Sequence, residues 1–110
     1  MNKNDVLNDL YDVITDRKNN PAEGSYTSYL FDKGLDKILK KIGEECTETV
    51  IAAKNDNKDD LIGEICDVIF HLLVMSAEKN VTVDEILDEL DIRSKKIGNL
   101  KKFNVTDKNS

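Results

Sequence analysis

The 110-residue sequence predicts an all-α protein, an antiparallel bundle of about four main helices. A single proline and five glycines leave long uninterrupted segments. In these segments apolar residues recur at the three- and four-residue spacing of one helix face. No segment combines alternating hydrophobicity with the turns of a hairpin, as strands would require. We expect residues 1–98 to form a single domain and residues 99–110 to be a frayed polar tail.

The first half of the chain contains one long and one short predicted helix. Residues 5–17 place their apolar side chains on one face, with acids between them. Residues 19–25 are rich in turn formers and end this helix. A short helix follows over residues 26–33 and stops at Gly34, because glycine is typical of helix C-termini.

Two longer helices follow and are predicted to form an antiparallel pair. The first spans residues 35–54, and a polar connector of residues 55–58 separates it from the second, over residues 59–79. Short connectors make neighbouring helices antiparallel. The second helix is apolar nearly all round over residues 65–77, which predicts that it is the most buried. The predicted core stripe of the first consists of Leu35, Ile38, Leu39, Ile42, Cys46, Thr49, Val50 and Ala53.

The last predicted helix has the clearest start. Thr82 and Glu85 have the spacing of a capping box, and Val81 and Ile86 occupy the positions of a hydrophobic staple. Basic residues precede Gly98, where the helix dipole favours cations, so we expect the helix to end there.

Composition excludes several classes of protein. The net charge of −6 argues against nucleic-acid binding, which normally needs a basic surface. It does not argue against a nucleotide that brings metal counter-ions. The sequence shows neither a signal peptide nor an apolar run that could span a membrane. Cys46 and Cys66 lack the spacing of a zinc site or a disulfide framework, and we expect them to be buried as small hydrophobic residues. A cytoplasmic protein is predicted.

Four acidic residues occupy positions that are unusual for surface charges. Glu64 and Asp67 flank or interrupt the apolar helix, and Glu45 and Glu48 lie beside the core stripe of its neighbour. The residues within each pair are three positions apart, so they share one helix face. An antiparallel turn centred on Asp56 places Glu48 opposite Glu64 and Glu45 opposite Asp67, because each pair is equally distant from the turn. Four such carboxylates repel one another unless a cation lies between them, and all-oxygen ligands favour Mg²⁺ or Mn²⁺.

An alternative is a salt-bridge network in which the acids pair with Lys37, Lys40 or Lys41. The position one turn before Glu64 is acidic, which weakens this alternative. His71 lies one turn beyond Asp67 on the same face. It is predicted to be either a locally hydrogen-bonded core residue or a contact to the site or substrate.

The residues also resemble a known family. The sequence GEECTE at 43–48 and the spacing Glu64-x-x-Asp67 resemble the EExxE…ExxD signature of all-α nucleoside-triphosphate pyrophosphohydrolases, the MazG-like superfamily. SYT at 25–27, KGLDKILKKIGEE at 33–45 and HLLV at 71–74 are similar to the narrower phosphoribosyl-ATP pyrophosphohydrolase family.

The resemblance implies Mg²⁺-dependent hydrolysis of phosphoribosyl-ATP to phosphoribosyl-AMP and pyrophosphate in histidine biosynthesis. It implies that the motif acids bind metal, that Glu44 orients or deprotonates water, and that Lys37 and Lys41 face phosphates. The residues implied to bind metal are Glu45, Glu48, Glu64 and Asp67. The resemblance also implies that Glu45 is catalytic, together with Glu44. Residues 25–27 (Ser25, Tyr26 and Thr27) lie before a helix start, where they either bind an anion or simply cap the helix.

Two other functions stay open at this point. A relative in the same superfamily could act on other (d)NTPs, and a helical interaction module could use the acids structurally. The family forms homodimers, and the apolar character of the third long helix together with Ile51 favours a C₂ dimer here.

Overall fold

The computed structural model describes residues 3–98, in which five α-helices and a short 3-10 helix account for the regular structure. No strand occurs within this part of the chain, so the all-α prediction is confirmed. The tail predicted for residues 99–110 lies outside the described residues. None of the described helices is long and apolar enough to cross a membrane. The elements are the 3-10 helix Lys3–Asp5, α1 (Val6–Asn19), α2 (Tyr26–Lys33), α3 (Leu35–Lys54), α4 (Lys58–Glu78) and α5 (Val83–Gly98).

Local signals determine where the helices begin and end. Gly34 adopts a φ of 95° between α2 and α3, a conformation that other residues rarely adopt. The Asn57 side chain accepts a hydrogen bond from the Asp60 amide at 3.1 Å and starts α4. The capping box is confirmed at α5: the Thr82 amide donates to Glu85 Oε1 at 2.9 Å, and the Glu85 amide donates to Thr82 Oγ1 at 3.1 Å.

The core lies at one end of the antiparallel α3/α4 pair, which makes the most extensive contact in the fold. There α1 packs against both α2 and α4, and α5 packs against α1. Ile38 and Val74 are both fully buried and lie equally far from Asp56 along the chain, as the predicted register requires. The buried cluster consists of Ile14, Leu30, Ile38, Leu73, Val74, Ala77 and Val83.

The prediction that the helix after the connector is the most buried holds only for its C-terminal half. His71, Leu73, Val74, Ser76 and Ala77 of α4 are buried. The packing of α1 concentrates the core at that end of the pair. A stripe of exposed apolar side chains begins in the N-terminal half of α4 and continues to Leu72. This α4 stripe consists of Ile62, Ile65, Ile69 and Leu72.

The predicted core stripe of α3 is also partly wrong. Ile38 is buried, but Leu39 and Val50 are exposed, and the prediction that Cys46 and Cys66 are buried is contradicted because both thiols are exposed. The buried face of α3 is instead marked by Ile38, Glu45 and Ala52. The helix therefore turns a carboxylate, and not its cysteine, toward the interior.

Candidate active site

Three of the predicted metal ligands converge between α3 and α4. Glu45, Glu48 and Glu64 each offer a carboxylate oxygen, and these oxygens lie within 4.8 Å of one another. We call these three residues the carboxylate cluster. Glu48 and Glu64 approach each other across the two helices because they are equidistant from the turn at Asp56. The register inferred from the sequence is therefore confirmed at the site as well as in the core.

The cluster contains acceptor oxygens without donors. Glu45 is only 6% exposed, and its Oε2 atom is buried without a hydrogen-bond partner among the described residues. Glu64 Oε2 is likewise buried and has no hydrogen-bond partner among the described residues. Buried carboxylate oxygens without a donor destabilise the folded protein, because the oxygens lose their hydrogen bonds to water and form no others. A divalent cation with oxygen ligands would satisfy both atoms, so the donor set fits Mg²⁺ or Mn²⁺.

The proximity of the carboxylates changes the acidity of Glu64. The pKa of Glu64 is raised from its ordinary value of 4.5 to about 7. The largest cause is a hydrogen bond with the Glu48 carboxyl, which requires a shared proton, followed by burial and by the negative charges of Glu48, Glu45 and Asp67. Below about pH 7 the metal-free cluster therefore holds a proton that partly compensates its negative charge.

This raised pKa predicts a pH-dependent stability in the absence of divalent cations. The contribution of Glu64 is fully present below its ordinary pKa of 4.5 and is lost as the pH rises through about 7. Between about pH 5 and about pH 7 this contribution should lower the melting temperature of the metal-free protein as the pH rises, and Glu64→Gln should flatten this slope. Melting curves at several pH values with a chelator measure the effect.

The control for this experiment is Asp88→Asn, which neutralises an exposed acid on α5, away from the cluster. It should keep the slope of the unaltered protein. An unchanged slope in Glu64→Gln would contradict the assignment of the pH dependence to this carboxyl.

The fourth predicted ligand, Asp67, lies beside the cluster but is not one of the three closely spaced carboxylates. It lines the same open cleft, of about 440 Å³, as Glu48 and Glu64. Asp59 and Asp60 also line this cleft. Neither residue belongs to the motif, although the position of Asp60 one turn before Glu64 is a usable signal in the sequence. The cleft therefore concentrates more negative charge than the motif alone indicates.

The salt-bridge alternative is realised at one lysine. Lys41 Nζ lies 3.6 Å from Glu44 Oε1 and 3.6 Å from Glu45 Oε1. Although burial alone would lower the pKa of Lys41, its surroundings (Tyr26, Glu45 and Glu44) raise it above its ordinary value. Lys41 thus neutralises one oxygen of Glu45 and leaves Glu45 Oε2 without a partner. Glu44 is drawn toward this lysine and lies outside the three-carboxylate cluster.

Buried His71 and the exposed Tyr26 form a hydrogen-bonded pair next to the site. His71 Nδ1 lies 2.8 Å from the Asp67 carbonyl, and because a carbonyl only accepts, Nδ1 is the donor. In the neutral ring Nε2 is then the acceptor for the Tyr26 hydroxyl, at 2.9 Å. The locally hydrogen-bonded alternative for His71 is therefore realised. The pair links the start of α2 to the helix turn that carries Asp67.

The other predicted substrate contacts lie at the start of α2 and the start of α3. Ser25 Oγ accepts a hydrogen bond from the Ser28 amide at 3.1 Å, so this side chain caps α2, as the capping alternative proposed. Thr27 is half-buried in the first turn of α2. Lys37 Nζ lies 6.0 Å from the centre of the Tyr29 ring. Neither Tyr29 nor its neighbour Lys33 was selected from the sequence.

The fold and the cleft define an all-helical protein with a cluster of carboxylates, and comparison with known proteins identifies its family. Residues 7–94 match the phosphoribosyl-ATP pyrophosphohydrolase family. The chain is 62% identical over 101 residues to the phosphoribosyl-ATP pyrophosphatase of Clostridium acetobutylicum, covering 92% of each chain. It is 62% identical over 92 residues to the phosphoribosyl-ATP pyrophosphatase of Listeria monocytogenes, covering 84% of this chain and 88% of that one.

A third relative is the histidine biosynthesis bifunctional protein HisIE of Caldanaerobacter subterraneus. The identity is 59% over 92 residues, which is 84% of this chain and 45% of that protein. The protein belongs to the phosphoribosyl-ATP pyrophosphohydrolase family.

Proposed function

We propose that this protein hydrolyses phosphoribosyl-ATP to phosphoribosyl-AMP and pyrophosphate as a step of histidine biosynthesis. Family membership and the names of the relatives support this reaction. The single observation that carries it is the carboxylate cluster, in which Glu45 and Glu64 keep buried oxygens without donors. A divalent cation bound by this cluster would allow an acidic protein to bind a negatively charged polyphosphate.

Mg²⁺ is the proposed cofactor, with Mn²⁺ as a substitute. Glu45, Glu48 and Glu64 would hold it, together with Asp67 at the edge of the cleft. When bound, the ion neutralises phosphate charge, polarises the scissile bond and lowers the pKa of a coordinated water. The protein contributes a fixed set of oxygens on two packed helices, which limits their rearrangement.

The proposed substrate contacts surround this cluster. Lys41, held in its protonated form by its neighbours, would stabilise negative charge on a phosphate, and Lys37 one turn earlier would do the same. Glu44, whose Oε1 lies 3.6 Å from Lys41 Nζ, would accept a proton from the attacking water. Among the remaining predicted contacts, the hydrogen-bonded Tyr26–His71 pair would hold the start of α2 against α4 beside the site. Ser25 and Thr27, at the start of α2, would lie next to the phosphates.

The direct test is an assay of pyrophosphate release from phosphoribosyl-ATP with Mg²⁺. We expect release that depends on the divalent cation and stops when a chelator is added. A panel of dNTPs is the specificity control. Release of pyrophosphate from dNTPs but not from phosphoribosyl-ATP would replace the proposed substrate with another nucleotide.

We propose in addition that two copies associate as a homodimer through exposed apolar faces of α3 and α4. The α4 stripe follows the three- and four-residue spacing of a helix-packing seam. Val50 and Ile51 on α3 are 69% and 53% exposed. Exposed apolar positions gathered in this way are typical of a protein–protein contact. Light scattering during size exclusion tests the assembly, and a monomer at micromolar concentration would contradict it.

We further propose a cytoplasmic location. The two cysteines are free and exposed, which suits a reducing compartment. The proposed partner there is the small nucleotide substrate.

A further inference from the structure

Tyr29 gathers two lysines at the edge of the site. The residue is 42% exposed, and the Nζ atoms of Lys33 and Lys37 lie 5.7 Å and 6.0 Å from the ring centre. The ion pairs formed within residues 3–98 include neither lysine. We call Tyr29, Lys33 and Lys37 the aromatic–lysine patch. Two uncompensated ammonium groups on one exposed ring form a surface of positive charge in an otherwise acidic protein.

The turn at Gly34 brings the two lysines together. Lys33 ends α2, one turn after Tyr29, and Lys37 lies in the first part of α3. The positive φ of Gly34 redirects the chain between them. The negative face of an aromatic ring attracts ammonium groups, but an exposed contact of this kind compensates each charge only weakly. An anion beside the ring would compensate both charges.

The patch is continuous with the carboxylate cluster. The Tyr29 and Tyr26 rings stack with centres 6.2 Å apart, and Tyr26 is hydrogen-bonded to His71. On α3, Lys37 and Glu45 are eight residues apart, which corresponds to about 12 Å along the helix axis. An anion at the patch and a phosphate at the cluster can therefore belong to one nucleotide.

We infer that Lys33 and Lys37 together bind a terminal phosphate group of the nucleotide substrate, with Tyr29 as the residue that positions both lysines. This inference rests on the proposed function and deepens it. Phosphoribosyl-ATP carries terminal phosphates at two places, the triphosphate and the phosphoribosyl group. Both offer the same chemistry, a multiply charged group of phosphate oxygens that accepts hydrogen bonds from ammonium groups.

Steady-state kinetics with variants of the patch test the inference. Tyr29→Leu and Lys33→Met should each raise KM for phosphoribosyl-ATP about tenfold, while kcat changes less than about twofold. Tyr29→Phe keeps the ring and Lys33→Arg keeps the charge, so both should stay near the KM of the unaltered protein. Lys40→Met, at an exposed lysine of α3, is the matched control and should leave KM unchanged.

An unchanged KM in both Tyr29→Leu and Lys33→Met would overturn the inference. If Tyr29→Leu fails to fold by circular dichroism, Lys33→Met decides alone. Lys33 is exposed, so its replacement removes charge without opening a cavity.

Calorimetric titration without divalent cations separates the two phosphate sources and does not depend on turnover. If Lys33→Met weakens the binding of inorganic pyrophosphate about tenfold, the patch holds the triphosphate end. If it weakens the binding of ribose 5-phosphate instead, the patch holds the phosphoribosyl end. Equal binding of both probes by the unaltered protein and the variant, or no binding of either at millimolar concentration, would overturn the inference. Binding that depends on Lys33 in a protein that releases no pyrophosphate would refute only the proposed reaction.

Discussion

Glu45→Gln is expected to lower pyrophosphate release from phosphoribosyl-ATP by about a hundredfold or more while the helical fold survives. Replacement of groups that merely support a metal ligand already costs about 10- to 100-fold, and loss of a ligand carboxylate should cost at least as much. The glutamine keeps the shape of a buried side chain but removes the negative charge. The measurements are the pyrophosphate assay and circular dichroism.

Asp67→Asn tests whether the fourth acid acts with the cluster. Because Asp67 lines the cleft with Glu48 and Glu64, we expect a loss of activity in this variant too. The matched control is Asp88→Asn, whose acid is exposed on α5 and which should keep full activity. Retained activity in both Glu45→Gln and Asp67→Asn would disprove the metal-site assignment.

Ile14→Ala is expected to lower the free energy of unfolding by about 2–5 kcal/mol, the range for removing a large aliphatic side chain from a packed core. Ile14 is 1% exposed and belongs to the buried cluster that joins α1 to the end of the α3/α4 pair. Its replacement removes apolar contact and leaves a cavity that the surrounding helices fill only in part. Urea denaturation monitored by circular dichroism gives the difference between the proteins.

The adjacent residue provides the control. Val13 belongs to the same predicted apolar stripe of the first helix but is 50% exposed. Val13→Ala should change the free energy of unfolding by no more than about 0.5 kcal/mol, as surface substitutions usually do. Equal effects at both positions would contradict the packing of α1 described above.

Local features of the helices could be predicted because their causes are local. The predicted bounds of α3 agree with the observed Leu35–Lys54, and the Thr82–Glu85 capping box forms as expected. A cap depends on residues three positions apart, and the turn at Gly34 depends on the freedom of one glycine. The predicted opposition of Glu48 and Glu64 also held, because a short connector leaves an antiparallel pair little choice of register.

Burial could not be predicted in the same way. Periodicity places Leu39, Cys46 and Val50 on one face of α3, but it does not say which face the other helices cover. Packing with the rest of the bundle instead buries Ile38, Glu45 and Ala52. The two cysteines are exposed for the same reason, since each lies on a face that the core does not cover.

The sequence by itself determined the all-α class, the position of the helices and the acids that meet across the α3/α4 pair. These properties follow from helix geometry and from one short connector. Only the tertiary structure decided that Glu45 is buried, that Glu45 and Glu64 keep buried oxygens without donors, and that Lys37 of α3 lies beside the Tyr29 ring of α2. The physical reason is that desolvation and charge compensation depend on which side chains from distant parts of the chain come together, and helix periodicity carries no information about these contacts.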